Sequence, residues 1–538
     1  MASSRYFESD RREFLAGIAA LFAGASLPLP ALAQTRQSTA AAFTDLPLGA
    51  PEPYDFEQLK ARAQELASKP YAEPRIEADD LLETLDFDTY QKIAFKPGMA
   101  LWPNIDTPFA TQLFHLGRYF KAPVEMHVVE GDQARNIEYT TDAFTIKDRS
   151  LRERLPETLG YAGFRLMEPG GKADWISFLG ASYFRSAGPE KQYGMSARGL
   201  AIDTGLPRPE EFPHFAGFWL HRPEKEAKTM VVDALLDSES CTGAYRFLIS
   251  GPETIVMDVT ANLYIRKDIE RLGIAPLTSM YWYGETTPRP NKDWRPEVHD
   301  SDGLAIWTGG GERLWRPLNN PEVTRVSTFL DEDPKGFGLL QRDRDFVEYQ
   351  DDSTFYEKRP GVWVEPVGDW GAGEVQLLEI PTDDEIYDNI AAYWKPAEAV
   401  KAGDELAYEY KLHWVAKEPY PPEVGHVVAT RLGQGGVPGQ ERPENMKKFV
   451  VDFTGGPLDA LEQRFDLDAV IDASQGKVDN PYVIKVVGTD RWRAVFDLEI
   501  EGEEPIELRL YLALNGETLT ETWLYQYLPT SAPPVRRS

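Results

Sequence analysis

The sequence contains a single cysteine, Cys241, among its 538 residues. No intrachain disulfide can therefore form, and the stability of the chain must come from its hydrophobic cores. A lone thiol of this kind is usually a small buried residue and only rarely a nucleophile. We predict that Cys241 is buried and takes no part in chemistry.

Histidine is also scarce, with seven residues scattered along the chain. None stands at metal-ligand spacing from another, and neither HExxH nor CxxC occurs. Ser182 and Ser196 lack a G-x-S-x-G setting, and the glycines at 309–311 form neither a phosphate-binding loop nor a dinucleotide fingerprint. The sequence therefore predicts no metal site, no cofactor, no serine triad and no nucleotide chemistry.

Basic residues are few relative to acidic ones. There are 57 Lys and Arg against 87 Asp and Glu, which gives a formal net charge of −30 at pH 7. Such a surface repels phosphate backbones and anionic lipid headgroups. We expect neither nucleic acid nor a membrane surface as a partner, whereas a neutral ligand such as a sugar is compatible with this charge.

Long apolar runs are missing, apart from a short one near the N-terminus. The pair Arg11-Arg12, followed by apolar residues, is the pattern of a twin-arginine export signal. The run at 18–29 is shorter than the about 18 residues that a membrane span needs, and Ala31-Leu-Ala33 fits a signal cleavage site. We therefore expect a signal peptide at 1–33, a mature start at Gln34, the periplasm as the compartment, and no membrane insertion after cleavage.

Short segments with alternating polarity dominate the rest of the chain. The 42 Gly and 41 Pro punctuate them, which favours strands joined by turns over long helices. A flexible lead-in at 34–44 precedes a helix predicted at 56–68 and a second helical patch at 78–85 that continues to 90–93. From 93 onward the period-two pattern indicates antiparallel sheets, so we predict one large β-sandwich over 45–395.

A second sandwich is predicted after a linker at 396–403. Its limits are 404–530, followed by a tail at 531–538. Seven strands over about 120 residues match the count of an immunoglobulin-like sandwich, although no cysteine pair is present. The predicted strands are 406–415, 426–431, 447–453, 482–487, 492–500, 506–513 and 520–526.

An acidic stretch at 379–395 is the first candidate for chemistry. Apolar and aromatic residues, including Tyr393 and Trp394, follow its carboxylates. Carboxylates beside an aromatic surface suit sugar chemistry, because an acid must be kept protonated next to a stacking platform. A solvated acidic loop is the alternative. The four carboxylates fall within six positions, at Asp383, Asp384, Glu385 and Asp388.

Other polar and aromatic segments have structural alternatives as well. Asp300 and Asp302 flank a turn before Gly303, and turn formation alone would explain them. Arg342 and Arg359 could equally form structural ion pairs. Four tryptophans are candidates for sugar stacking, and about half of such residues belong to cores. They are Trp282, Trp307, Trp315 and Trp363.

Long phrases of the sequence resemble the periplasmic glucan biosynthesis proteins of the OpgG/OpgD (MdoG/MdoD) family. The resemblance spans essentially the whole mature chain, and the export signal, residues 401–405 and residues 521–527 are similar to the D branch. The matching phrases are LGASYFR (179–185), GMSARGLAIDT (194–204), EFP (211–213), ALLDS (234–238), TGAY (242–245), GIAPLTSM (273–280), HDSD (299–302), WRPLNNP (315–321), GFGLLQ (336–341) and ETWLYQ (521–526).

The resemblance implies an all-β fold, with a large galactose-mutarotase-like β-sandwich followed by an immunoglobulin-like one. It also implies a role in making osmoregulated periplasmic glucans, whose backbone is β-1,2-linked glucose. The expected ligands are β-1,2-glucan oligosaccharides. A homodimer and a glucan synthase partner are compatible with this role, and the sequence decides neither.

Members of this family resemble inverting endo-β-1,2-glucanases. The resemblance assigns the general acid to Asp388 and the general base to Asp300. The carboxyls of inverting enzymes usually stand ~6.5–9.5 Å apart, although this family relays the proton through water and a substrate hydroxyl. The residues expected to bind substrate are Tyr356, Arg359, Glu385, Ser301, Trp307 and Trp315.

Two other functions remain open at this point. A non-hydrolytic protein could bind glucan and guide backbone synthesis or branching. A sugar epimerase or mutarotase is suggested only by the fold, which is weak support.

Overall fold

The computed structural model describes residues 44–103, 105, 107–287 and 293–529. The predicted signal peptide, all of the lead-in before Thr44, and the tail lie outside these residues. In the described part of the chain, no helix is both long enough and apolar enough to cross a membrane.

The α-helices are short. They are α1 (Phe56–Ala67), α2 (Asp79–Glu83), α3 (Phe87–Tyr90), α4 (Arg149–Arg154) and α5 (Phe346–Tyr349). The helix predicted at 56–68 is confirmed: the Asp55 carboxylate caps it by accepting from the Gln58 N–H, and Leu59 and Ala63 are buried. The second helical patch is interrupted, and Ile93 begins a strand.

Strands are the main secondary structure of the molecule. In chain order they are β1 (Glu52–Pro53), β2 (Ile93–Phe95), β3 (Thr111–His115), β4 (Glu125–Glu130), β5 (Gln133–Asn136), β6 (Phe144–Ile146), β7 (Tyr161–Met167), β8 (Asp174–Leu179), β9 (Tyr183–Ser186), β10 (Ser196–Arg198), β11 (Ala201–Ile202), β12 (His214–His221), β13 (Thr229–Asp237), β14 (Cys241–Ser250), β15 (Ile255–Ile265), β16 (Leu272–Ser279), β17 (Tyr281–Tyr283), β18 (Val298–His299), β19 (Gly303–Trp307), β20 (Arg313–Pro317), β21 (Arg325–Glu332), β22 (Gly336–Leu340), β23 (Gly361–Val367), β24 (Ala372–Glu379), β25 (Ile390–Pro396), β26 (Glu405–Val415), β27 (His426–Gln434), β28 (Met446–Thr454), β29 (Asp468–Ala473), β30 (Lys477–Lys485), β31 (Trp492–Glu499), β32 (Ile506–Leu514), β33 (Glu517–Thr518) and β34 (Thr522–Tyr527).

Two large sheets face each other across the main core. The first runs β1-β5-β4-β12-β13-β14-β15-β26-β23-β22-β19-β20-β34-β32-β29, and the second runs β21-β24-β25-β16-β10-β9-β8-β7-β3. Aromatic rings from both sheets meet between them: Phe178 of β8 lies edge-on to Phe218 of β12 and Phe247 of β14, with centroids 5.9 and 5.2 Å away. Cys241 is buried in this core, as predicted.

The alternation along the sequence explains how strands with one face on the core are buried. In β15 buried and partly exposed residues alternate without interruption from Ile255 to Ile265, as expected when one face packs on the core. Helix α1 covers part of the outer face of the same sheet, where Leu59 and Ala63 pack with Leu235 and Ala244.

Strand β26 corrects the predicted domain organisation. It was expected to open the C-terminal sandwich, but it pairs with β15 and β23 in the large sheet, so that prediction is wrong. The segment 396–403, predicted as an interdomain linker, connects β25 of the second sheet with β26 of the first. The reason is that a period of two specifies which face of a strand is buried and does not specify its partner strand.

The remaining C-terminal strands form a smaller sandwich. A sheet with the order β27-β28-β31-β30 shares a hydrophobic cluster with β32 and β34. Strand β34 also pairs in parallel with β20, Trp315 opposite Trp523, so one sheet runs through both sandwiches. The all-β prediction is confirmed, while the kinship with galactose mutarotase and immunoglobulin domains stays a prediction.

Candidate active site

Asp300, the predicted base, follows the short strand β18 and is only 4% exposed. Strands β17 and β18 pair through Tyr281 and His299, and the Asp300 N–H donates to the Met280 carbonyl oxygen at 2.8 Å. The carboxylate of Asp300 accepts a hydrogen bond from Arg359 Nη1. Both the backbone and the side chain of this residue are therefore held in place.

Arg359 lies on the ring of Tyr356, with its guanidinium 3.9 Å from the ring centroid. Tyr356 belongs to a one-turn helix, Tyr356–Lys358, that precedes β23. Burial opposes the charge on Arg359, but Asp300 and Tyr356 raise its pKa above the ordinary value. Gly194 packs against the stem of the arginine, since a Cβ built there would lie 2.9 Å from the Arg359 Cβ.

Glu385 joins the same group from the connection between β24 and β25. Its carboxylate accepts hydrogen bonds from the Tyr356 hydroxyl and from Arg295 Nη1, the latter at 2.7 Å. Arg295 also pairs with Asp293 and Asp351, at 2.8 and 2.9 Å. The hydrogen bond from Arg295 lowers the pKa of Asp293 to about 2. One arginine thus holds three carboxylates beside Tyr356.

Asp388, the predicted acid, is half-buried just before β25. Its charge favours the charged form of Arg185, a buried arginine that lies 4.2 Å above the Tyr193 ring. Burial lowers the pKa of Arg185 and the nearby charge of Arg359 lowers it further, whereas Tyr193, Asp174 and Asp388 raise it. The charges of Asp388 and Arg359 therefore both act on Arg185. Arg359 in turn donates a hydrogen bond to Asp300.

Three of the other predicted residues lie away from this group or behind it. Ser301 is fully buried and shares a 2.6 Å hydrogen bond with Ser279. Trp315 is covered by Arg342, whose guanidinium lies 3.6 Å from the ring centroid, and packs in the core shared with the C-terminal sandwich. Trp307 packs against the same core and carries a guanidinium from Arg313 at 3.7 Å.

Of the remaining aromatic candidates, some are buried in cores and one packs near the site. Trp363 is fully buried in a core, whereas Trp282 packs in a cluster with Tyr356. Tyr393 and Trp394 were expected beside the acid, but both are fully buried within β25, so they offer no exposed platform. Two of the four carboxylates of the acidic stretch have different partners, since Glu385 accepts from Arg295 while the charge of Asp388 acts on Arg185.

Several residues of the site were not singled out from the sequence. Arg185, Gly194 and Gln341 lie inside the long matching phrases, so the phrases contained a signal for them. Arg295 and Asp351 had no such signal, because their roles depend on contacts across about 60 to 90 positions of the chain.

A second polar region lies directly behind Asp300, against the C-terminal sandwich. It surrounds a cavity of about 30 Å³. His299 Nε2 lies 2.9 Å from Glu297 Oε2, and the pKa of His299 is raised because Glu297 outweighs the effect of burial. Burial raises the pKa of Glu285 to about 7 and also raises those of Asp302 and Asp343.

Within the described ranges, this region contains the one group of side chains with metal-ligand spacing. Ligand atoms of Glu297, His299 and Asp343 lie within 4.8 Å of one another. Two of the three residues, His299 and Glu297, are hydrogen-bonded directly to each other at 2.9 Å.

Comparisons with known proteins agree with the resemblance in sequence. The family model described as "Periplasmic glucan biosynthesis protein, MdoG" matches residues 54–527. Glucans biosynthesis protein D of Stenotrophomonas maltophilia is 48% identical over 534 residues, covering 98% of this chain and 99% of that protein. Glucans biosynthesis protein D 2 of Ralstonia nicotianae is 47% identical over 528 residues, covering 95% and 98%.

A third relative also matches most of the chain. The probable glucans biosynthesis protein D of Shewanella oneidensis is 49% identical over 488 residues, 90% of either chain. The range of the family model, 54–527, includes both the candidate site and the C-terminal strands. The chain belongs to the MdoG family of periplasmic glucan biosynthesis proteins.

Proposed function

We propose that this protein hydrolyses the β-1,2-linked glucose backbone of osmoregulated periplasmic glucans, as an inverting endo-β-1,2-glucanase. Asp388 is the general acid and Asp300 is the general base. The observation that supports this most is a chain of contacts from Asp300 through Arg359 and Tyr356 to Glu385. The charges of Asp388 and Arg359 both act on the buried Arg185, which relates Asp388 to this group.

The reaction needs one proton given and one proton taken. The protonated carboxyl of Asp388 donates to the glycosidic oxygen as the bond to the anomeric carbon breaks. Water attacks that carbon from the opposite face, and its proton passes to Asp300 through water and a substrate hydroxyl. The base must be ionised beforehand, and Arg359 supplies the positive charge beside it.

Tyr356, Arg359 and Glu385 bind the substrate in this proposal. A guanidinium next to a carboxylate presents donors and acceptors that suit sugar hydroxyls. The ring of Tyr356 is only 2% exposed, so its part is to support the guanidinium of Arg359. Ser301, Trp307 and Trp315 were also expected to bind substrate. Their buried or arginine-covered positions favour a supporting role around the site.

The proposal also includes a compartment and partners. We infer export through the twin-arginine pathway and action in the periplasm on glucan oligosaccharides, with a homodimer and a glucan synthase contact as further expectations. The name of the matching family, a periplasmic glucan biosynthesis protein, supports this compartment.

A non-hydrolytic glucan-binding function is the second candidate. The observation in its favour is that Asp300 and Glu385 are both engaged by arginines, Arg359 and Arg295. Carboxylates held in this way can bind sugar hydroxyls without moving protons. This candidate predicts oligosaccharide binding with no change in chain length.

One experiment separates the two functions. Mature protein from Gln34 onward is incubated with linear β-1,2-glucan, while proton NMR follows the first anomer released and chromatography follows chain length. Initial release of the α-anomer with internal cleavage supports the inverting endo-glucanase. Initial β-anomer would contradict inversion, and calorimetric binding without any shortening would support the binding protein.

A further inference from the structure

Gln341 makes hydrogen bonds to two segments that both lead to the candidate site. It follows strand β22 and is only 3% exposed. Its amide nitrogen donates to the carbonyl oxygens of His299 and Tyr356, at 3.1 and 3.4 Å. Its amide oxygen lies 2.9 Å from His299 Nδ1. All the polar atoms of this buried side chain are therefore used.

The two carbonyl groups belong to residues next to, or part of, the proposed machinery. His299 directly precedes Asp300, and Tyr356 carries the guanidinium of Arg359 on its ring. These two segments meet again where Arg359 donates to the Asp300 carboxylate. The two segments are thus joined twice. Gln341 joins them through backbone carbonyl groups, and the Arg359–Asp300 ion pair joins them through side chains.

The orientation of the His299 ring follows from this amide. Because both carbonyl contacts require the amide nitrogen of Gln341, its oxygen must face His299, and His299 Nδ1 carries a hydrogen. The other ring nitrogen faces Glu297 at 2.9 Å. The ring also stacks on Tyr281, with centroids 5.3 Å apart, and lies edge-on to Tyr349 at 5.2 Å.

We propose that Gln341 is a positioning residue, which sets the distance between the Asp300 segment and the Tyr356–Arg359 segment. This inference rests on the proposed hydrolytic function. Displacements of about 1 Å in a site can reduce turnover roughly 100-fold, because attack requires the reacting groups to be aligned. Loss of the amide leaves the proposed acid, base and substrate contacts present but misaligned.

A matched control exists in the second sheet. Gln376 on β24 is 4% exposed, donates to Glu374 Oε1 at 2.7 Å and accepts from the Tyr393 hydroxyl at 2.9 Å. Replacing it with methionine removes comparable buried hydrogen bonds, and none of its hydrogen bonds involves the residues of the site. General loss of stability should therefore affect both glutamine variants, whereas misalignment should affect only one.

The test compares Gln341→Met and Gln376→Met in the mature chain, with linear β-1,2-glucan as substrate. We expect kcat of Gln341→Met to fall about 10- to 100-fold with KM changed less than about threefold, and Gln376→Met to stay within about threefold of the parent. Folded sites are counted by calorimetric titration with a β-1,2-glucan oligosaccharide in an Asp388→Asn background, and kcat is expressed per folded site.

Each outcome decides the proposal. Equal kcat values per folded site in the two variants would overturn the positioning role, as would a fall that only follows the loss of folded sites. If Gln341→Met does not fold, Gln341→Asn, whose shorter amide cannot reach both carbonyls, must show the same fall in kcat. A parent protein that binds the oligosaccharide without turnover would overturn the hydrolytic function itself, and with it this inference.

Discussion

Two groups of carboxylates lie near the segment around His299 and Asp300, and the positively charged side chains that pair with them differ. The front group is Asp293, Asp300, Asp351 and Glu385, and each of its carboxylates bonds to Arg295 or Arg359. The rear group is Glu285, Glu297, Asp302 and Asp343.

The rear group has a different set of positive charges. His299 pairs with Glu297, and Arg431 pairs with Glu285. The guanidinium of Arg342 is directed to Glu521. Asp302 accepts hydrogen bonds from the backbone N–H groups of Arg342 and Asp343.

The comparison shows that surroundings, and not the carboxyl itself, decide where a proton is held. In the front group the pKa of Asp293 falls to about 2, because Arg295 donates to it. In the rear group burial raises the pKa of Glu285 to about 7 and raises that of Asp343. Carboxyl groups in these two neighbouring groups are thus suited to opposite protonation states.

The largest expected effect comes from removing the proposed base in the front group. Asp300→Asn should reduce turnover of β-1,2-glucan by about 10²- to 10⁴-fold, since a positioned base contributes roughly that much. Asp302→Asn is the matched control, because asparagine can still accept the two backbone hydrogen bonds. Turnover is measured by the appearance of reducing ends, and equal rates in both variants would contradict the assignment.

Breaking the front group at its central cation should chiefly affect stability. Arg295→Met leaves three carboxylates without their guanidinium, so the free energy of unfolding should fall by about 3–5 kcal/mol. Arg208→Met, which removes a half-exposed arginine from two ion pairs, should cost clearly less, because solvent screens these pairs. Urea titrations measure both, and similar losses would show that the front group is not specially dependent on Arg295.

The raised pKa in the rear group should make the free energy of unfolding depend on pH. Because the folded protein raises the pKa of Glu285 from 4.5 to about 7, its contribution is present below pH 4.5 and is lost as the pH rises through about 7. Glu285→Gln cannot ionise, so the decline in unfolding free energy between pH 4.5 and 7.5 should shrink by about 1–3 kcal/mol. An unchanged decline, equal to that of the exposed Glu332→Gln variant, would contradict the shift.

The smallest effect should come from moving one arginine of the front group slightly. Gly194→Ala places a Cβ within 2.9 Å of the Arg359 Cβ, so the arginine must shift and turnover should fall about 3- to 10-fold. Gly98→Ala is the control, since a Cβ there meets nothing within 4 Å. Kinetics that are identical in the two variants would show that the stem of Arg359 tolerates displacement.

The sequence predicted the all-β class and several residues that meet in the front group. Asp300 lies inside a matching phrase, so the resemblance to the family identified it. Tyr356, Arg359 and Glu385 are near Asp388 in the chain and were identified in the same way. Arg295 could not be found in this way, because its partners Glu385 and Asp351 are remote in sequence. Strand β26 was placed in the wrong sandwich, because alternation contains no information about partner strands.

Aromatic residues were also difficult to assign from the sequence. Tyr393 and Trp394 follow Asp388 closely, yet the chain enters β25 and buries both. Trp307 and Trp315 follow the HDSD phrase within about 13 positions. They pack toward the C-terminal sandwich, which the pairing of β20 with β34 brings close. These aromatic residues are close to Asp388 or Asp300 in the chain, but they pack into the cores instead of lining the site.

The central claim is that Asp388 is the acid of a glucan hydrolase. The most direct measurement follows the chain length of linear β-1,2-glucan with the mature protein and with Asp388→Asn. We predict shortening by the parent protein and a loss of about 10²-fold or more in the variant, with oligosaccharide binding retained. Near-full hydrolysis by Asp388→Asn would contradict the assignment of the acid. No shortening by the parent protein, together with measurable binding, would contradict the enzymatic account and favour a glucan-binding protein.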